Sequence, residues 1–147
     1  MENFKPENEC NMLEDFLKSY SGKNRRAVEA FKKCKTDAEN GNVPAMNRLG
    51  WCYQHKIGTE ENPEEAYKWY KKSAENGNAA GMRDLGWCYL KGYGTEENLS
   101  EAYSWYKKAA ENGDNTGMQW LAVCYRESYG TEKDERQAAY WEAKSKE

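Results

Sequence analysis

Any serine–histidine–aspartate or cysteine–histidine centre in this sequence would have to use His55, because the chain contains one histidine. Lys91 and Glu127 take its place elsewhere in the pattern described below, so His55 reads as an ordinary exposed side chain. The five cysteines, Cys10, Cys34, Cys52, Cys88 and Cys124, could offer thiolate chemistry or metal ligation. Zinc draws Cys and His in short spacings, and no such pair occurs here. Cys52, Cys88 and Cys124 share one position of the pattern. Stacked helices lie about 8–10 Å apart, beyond the roughly 7 Å Cα separation that a disulfide spans. These three therefore read as small buried apolar groups. Gly92-Tyr93-Gly94 does not open a phosphate loop, since no expected strand precedes it and no Gly-Lys-Ser/Thr follows. The carboxylates recur mostly at helix caps rather than as an acid/base pair. The sequence thus predicts no catalytic residues, no metal, no cofactor and no enzyme.

The chemistry that remains is recognition by aromatic and charged side chains. Mean hydropathy is −1.18 and 32% of residues are charged, yet there are six Trp and eleven Tyr. Disordered chains are poor in aromatics. The combination fits thin helices that each bury one aromatic stripe, and three Pro in the whole chain favour helix too. A net charge of −3 argues against a nucleic-acid or anionic-membrane partner. No apolar run approaches the roughly 20 residues of a membrane span. Met1 to Pro6 begins no signal peptide, because no apolar core follows. The expected compartment is the cytoplasm, with reduced thiols.

The elements that must position these residues are repeats. Residues 42–77 lie over 78–113 without a gap, with roughly 23 of 36 positions identical. Leu49-Gly50-Trp51-Cys52-Tyr53 returns as Leu85-Gly86-Trp87-Cys88-Tyr89 and as Leu121-Ala122-Val123-Cys124-Tyr125. Leu13, Leu17, Gly22, Ala30, Ala38 and Gly41 keep the same register upstream. One domain over 1–147 is expected, with units at about 6–41, 42–77, 78–113 and 114–147, the first degenerate.

Each unit reads as two helices. Helix A carries Met46, Leu49 and Tyr53 at helical spacing. Gly50 and Gly86 sit inside it at a cost of roughly 1 kcal/mol each, which close approach of helix B would explain. Gly58, Gly94 and Gly130 end the turn, free to take positive φ. Helix B starts at Asn62, Asn98 or Asp134, with Glu65, Glu101 or Gln137 at capping-box spacing. Ala66, Trp69 and Ala74 form its apolar stripe. Lys71–Glu75 and Lys107–Glu111 stand as i,i+4 pairs on a face whose charges read as simply solvated. The spacing predicts helices at about 9–20, 24–40, 43–55, 62–76, 79–91, 98–112, 115–127 and 134–146. Phe16, Leu17 and Tyr20 would cap one end of the stack. Glu142 and Lys146 would leave the other end polar.

Leu85-Gly86, Tyr89, Gly92, Gly94, Ala102, Trp105-Tyr106, Lys108-Ala109-Ala110 and Gly113 resemble the Sel1-like repeat pattern, a relative of tetratricopeptide repeats. Thr59, Thr95 and Thr131 stand where that pattern often has Val. The resemblance covers 42–147 strongly and 6–41 weakly. It implies an all-α, right-handed α/α solenoid of four hairpins that acts as a protein-binding scaffold or adaptor, monomeric or weakly oligomeric. Toxin-neutralising immunity protein is an alternative, and β-lactam binding or hydrolysis by a cysteine-rich member a further one. Disulfide-bearing relatives carry one Cys on each helix of a repeat. By that analogy only Cys10 and Cys34 could close.

By the tetratricopeptide analogy, helix A lines a concave groove that takes a protein or peptide. Its groove-facing positions are Asn47, Arg83 and Gln119; Arg48, Asp84 and Trp120; Trp51, Trp87 and Val123; Gln54, Leu90 and Arg126; His55, Lys91 and Glu127. At most of them the near-identical units disagree, and a position that only builds the fold has no reason to differ. Trp51 and Trp87 recur, so they are open to two readings, packing between helices or an aromatic platform. Arg83, between them along the stack, could lie on a ring and still offer donors. Trp69, Trp105 and Trp141 are expected in the core.

Overall fold

The computed structural model describes residues 24–147. The expected helix at 9–20, its capping residues and Cys10 lie outside that range. Seven helices follow one another: α1 over 24–39, α2 Val43–His55, α3 Pro63–Glu75, α4 Ala79–Lys91, α5 Leu99–Glu111, α6 Asn115–Glu127 and α7 Glu135–Lys144. No strand occurs among the described residues. Helices α2, α4 and α6 are the expected helices A, and α3, α5 and α7 the helices B.

The boundaries are set by side chains that satisfy free backbone N–H groups. Asn42 accepts from the Ala45 amide at 2.9 Å and Asn78 from Gly81 at 2.8 Å. Asn62, Asn98 and Asp134 do the same for α3, α5 and α7. Each helix A ends on a left-handed residue: Lys56 at φ 57°, Gly92 at 66° and Ser128 at 61°. Two units thus accept a non-glycine residue where the third has Gly.

The hairpins close through a glycine–tyrosine contact. A Cβ on Gly50 would stand 2.7 Å from the Tyr70 ring, and one on Gly86 3.0 Å from the Tyr106 ring. Both tyrosines are fully buried. Where the third unit replaces Tyr with Glu142, the glycine position holds Ala122. The helix-A glycines are there because helix B sends an aromatic ring against the backbone.

Adjacent units join through two further contacts. A Cβ at Gly94 would overlap the Pro63 carbonyl, one at Gly130 the Leu99 carbonyl, and one at Gly58 the Ala27 carbonyl. The turn of each hairpin thus lies on the start of the preceding helix B. Tyr67 and Tyr89 meet edge to face at 5.7 Å with hydroxyls 2.9 Å apart, and Tyr103 and Tyr125 repeat this at 5.6 Å and 3.0 Å. Phe31 and Tyr53 form the same edge contact at 5.3 Å. Helix α1 therefore packs on α2 as α3 does on α4.

The core follows the stripe: Leu49, Leu85, Leu121, Ala66, Ala102, Ala138 and the cysteines of helix A are buried. Trp69 is buried, whereas Trp105 and Trp141 are half-buried. Some surface charges of helix B make specific contacts. Lys72 lies 4.5 Å over the Trp69 ring and Lys108 4.3 Å over Trp105, and the helix-B ion pair is Lys68–Glu65 at 3.5 Å, not Lys71–Glu75 or Lys107–Glu111. An ammonium over an indole face gains cation–π energy without leaving water.

Candidate functional site

Side chains from α2, α4 and α6 converge on one open groove of about 290 Å³. Trp51, Gln54 and His55 come from α2, and Arg83, Asp84 and Trp87 from α4. Trp120 and Thr116 come from α6. A second compartment of about 330 Å³ shares Trp120 and is walled by Leu90, Lys91, Leu99, Val123, Tyr129 and Glu97. Equivalent positions of successive units fall beside one another because every unit has the same length.

The aromatic surface is built in pairs. Trp51, 46% exposed, leans on His55 with ring centroids 3.9 Å apart. Trp87 packs on Tyr93 at 5.3 Å, and Trp120 stacks on the buried Tyr106 at 5.7 Å and 11°. Each indole is held on one side by a second ring and leaves surface to the groove.

Arg83 is not stacked on an indole. Its Nε donates to Asp84 Oδ1 at 3.2 Å and its Nη1 to Asp114 Oδ1 at 3.2 Å. Asp114 is also the N-cap of α6, accepting from the Gly117 amide at 2.6 Å. One guanidinium thus ties two units together and steadies a helix start. Burial raises the Asp84 carboxyl pKa above its ordinary value against the lowering pull of Arg83. Asp84 Oδ2 and Asn47 Oδ1 are enclosed and accept no hydrogen bond among the described residues.

The other expected site residues divide by what they touch. Gln54 accepts from the Tyr70 hydroxyl at 2.6 Å, and Arg126 donates to Glu142 at 2.8 Å, so each closes its own hairpin at one repeat position. Leu90 has that position in the middle unit, and the Tyr106 hydroxyl accordingly has no partner. Arg48 and Gln119 are exposed and line neither compartment, and Asn47 is half-buried behind the groove. Thr116 was missed, although Pro44 and Ala80 hold its place in the other units, the same disagreement that marks the rest. Leu99, Tyr129 and Glu97 were missed because they lie in a turn and on helix B.

The cysteines differ in one respect from expectation. Cys34 on α1 lies against Cys52 on α2, and both are free. Burial, with Cys34 adding to it, pushes the Cys52 thiol up to about 11, and burial takes Cys88 and Cys124 to about 12. No group of three or more metal-ligating side chains occurs among the described residues.

Stacked helical hairpins with a side-chain-rich groove across their first helices define a helical repeat protein. The Sel1 repeat model matches residues 43–78, 79–114 and 116–144, and the chain belongs to the Sel1 repeat family. A Sel1 repeat protein from Oxalobacter formigenes is similar at 34% identity and TM-score 0.74, over 81% of this chain and 49% of that one. A protective antigen of uropathogenic Escherichia coli with an SLR fold is similar at 27% identity and TM-score 0.73, over 88% of this chain and 32% of that one. Helicobacter pylori cysteine rich protein B is similar at 25% identity and TM-score 0.62, over 78% of this chain and 87% of that one. The chain therefore spans about half the length of the first and a third of the second. No curated protein matches it. No helix among the described residues is long and apolar enough to cross a membrane.

Proposed function

We propose that the chain is a non-enzymatic scaffold or adaptor that binds a protein or peptide across α2, α4 and α6, and that it works in the cytoplasm. The observation that carries this reading is the convergence of three indoles on one groove whose other lining differs from unit to unit. Exposed, rigid aromatics are favoured binding anchors. Four units at about 10 Å each give a span near 40 Å, room for a standard interface of about 800 Å² on this side. Burial holds the helix-A thiols protonated, which speaks against a thiolate nucleophile on that face.

The experiment is capture with the full chain as bait, repeated with Trp51→Ala/Trp87→Ala and with Lys71→Ala/Lys107→Ala. A partner retained by the wild type and the lysine variant, and lost by the tryptophan variant, is expected. A partner lost only with the lysines would place the working surface on the helix-B side.

We also read 6–41 as a degenerate first unit, with α1 as its helix B. The Phe31–Tyr53 contact and the seat of Gly58 on Ala27 support this.

A further inference from the structure

The groove's charge and its indoles point to the chemistry of what enters it. Arg83 is the one cation of the first compartment and is engaged by two carboxylates, Asp84 and Asp114. The cluster carries one negative charge in excess. Three indoles face the same space. Indole faces attract cations and offer nothing to an anion. Lys91 lines the second compartment, not the first.

Resting on the groove as the partner surface, we propose that the first compartment receives a cationic side chain of the partner, arginine before lysine, lodged against Trp51, Trp87 and Trp120 over the excess carboxylate charge of Asp84 and Asp114. A guanidinium suits the place better than an ammonium. It is planar, sheds water more readily and stacks on aromatic faces. Asp84 Oδ2 and Asn47 Oδ1 do not touch water, so the attraction acts through the groove lining rather than by a direct bond to those two atoms. Burial raises the Asp84 carboxyl pKa, and Arg83 and Asn47 pull it back down. Beyond Trp120 the second compartment offers Leu90, Leu99 and Val123, a place for an apolar residue flanking the cation.

The test uses four blocked amino acids with one backbone: N-acetylarginine amide, N-acetylcitrulline amide, N-acetylglutamate amide and N-acetylleucine amide. Each is titrated into the full chain while the six indole N–H signals are followed by NMR. Citrulline keeps the shape of arginine and lacks its charge. The signals of Trp51, Trp87 and Trp120 should move with the arginine probe, which should bind at least about fivefold tighter than the citrulline probe. Asp84→Asn, which leaves Arg83 its bond to Asp114, should remove most of that preference and leave the leucine probe's binding unchanged. Equal binding of arginine and citrulline, tighter binding of glutamate, or no shift of these three signals would overturn the proposal. If that happens while the captured partner is still lost with Trp51→Ala/Trp87→Ala, the cationic inference fails and the groove reading survives. Loss of both would remove the groove itself.

Discussion

Gly86 shows how much a single hydrogen atom can decide in this chain. Alanine there gains about 1 kcal/mol of helix propensity but drives a methyl into the buried Tyr106 ring at 3.0 Å. Overpacking costs about 1–3 kcal/mol, so Gly86→Ala should melt lower than wild type in a thermal scan. Ala122→Gly, facing Glu142 instead of Tyr, should lose only the propensity. Arg83 carries a second residue-scale expectation. Its two carboxylate bonds tie α4 to the cap of α6, so Arg83→Ala should destabilise by about 1–3 kcal/mol in a denaturant titration. An Arg free in the groove would show no such loss. The sequence counted Arg83 among the groove-facing positions, and its side chain lines the first compartment. It could not show that Asp114, from the start of the next unit, would reach it, because a contact between units leaves no mark on spacing within one unit. The thiols add a pH dependence. Cys52, Cys88 and Cys124 have folded pKa values of about 11 to 12 against an ordinary 9.0. Below about pH 9 both folded and unfolded chains keep these protons and the stability is complete. Above it the unfolded chain ionises first, and stability should fall steadily toward pH 12 in urea melts at stepped pH.

At the scale of the helix, caps and stripes made the architecture readable. Asn62, Asn98 and Asp134 announced the helix-B starts, and the helices begin one residue after them. The ends of helix A were less legible. The sequence marked Gly58 as the residue needing positive φ, and it has φ 70°, but the cap itself is Lys56 at φ 57°. A lysine carries no signal of left-handed backbone, which is imposed by the turn that must seat on the preceding helix B. Lys56→Gly should therefore stabilise by up to about 1–2 kcal/mol by removing the Cβ clash of that conformation, visible as a rise in melting temperature. The contacts of helix B's charged face were no more legible. Lys72 and Lys108 prefer an indole three residues earlier to a carboxylate, and i,i+3 contacts of mixed type are hard to rank from sequence.

For the whole molecule, the equal length of the units is what makes a binding surface. Helix A of each unit brings its differing residues to the same height, and the contacts of Tyr67 with Tyr89 and Tyr103 with Tyr125 fix the offset between units. Seven of the expected groove residues line one compartment; Trp51 and Trp87 recur between units, whereas the other five stand where the units differ. Gln54 and Arg126 diverge because each matches its helix-B partner, Tyr70 or Glu142, a pairing the sequence shows only when both positions are compared together. The central claim is that partners meet the α2, α4 and α6 side. Hydroxyl-radical labelling of the captured complex tests it most directly. Trp51 and Trp87 should lose most of their labelling on binding, while Tyr140, 53% exposed on α7, keeps its own. Unchanged labelling of Trp51 and Trp87 with protection of helix-B residues would contradict the claim.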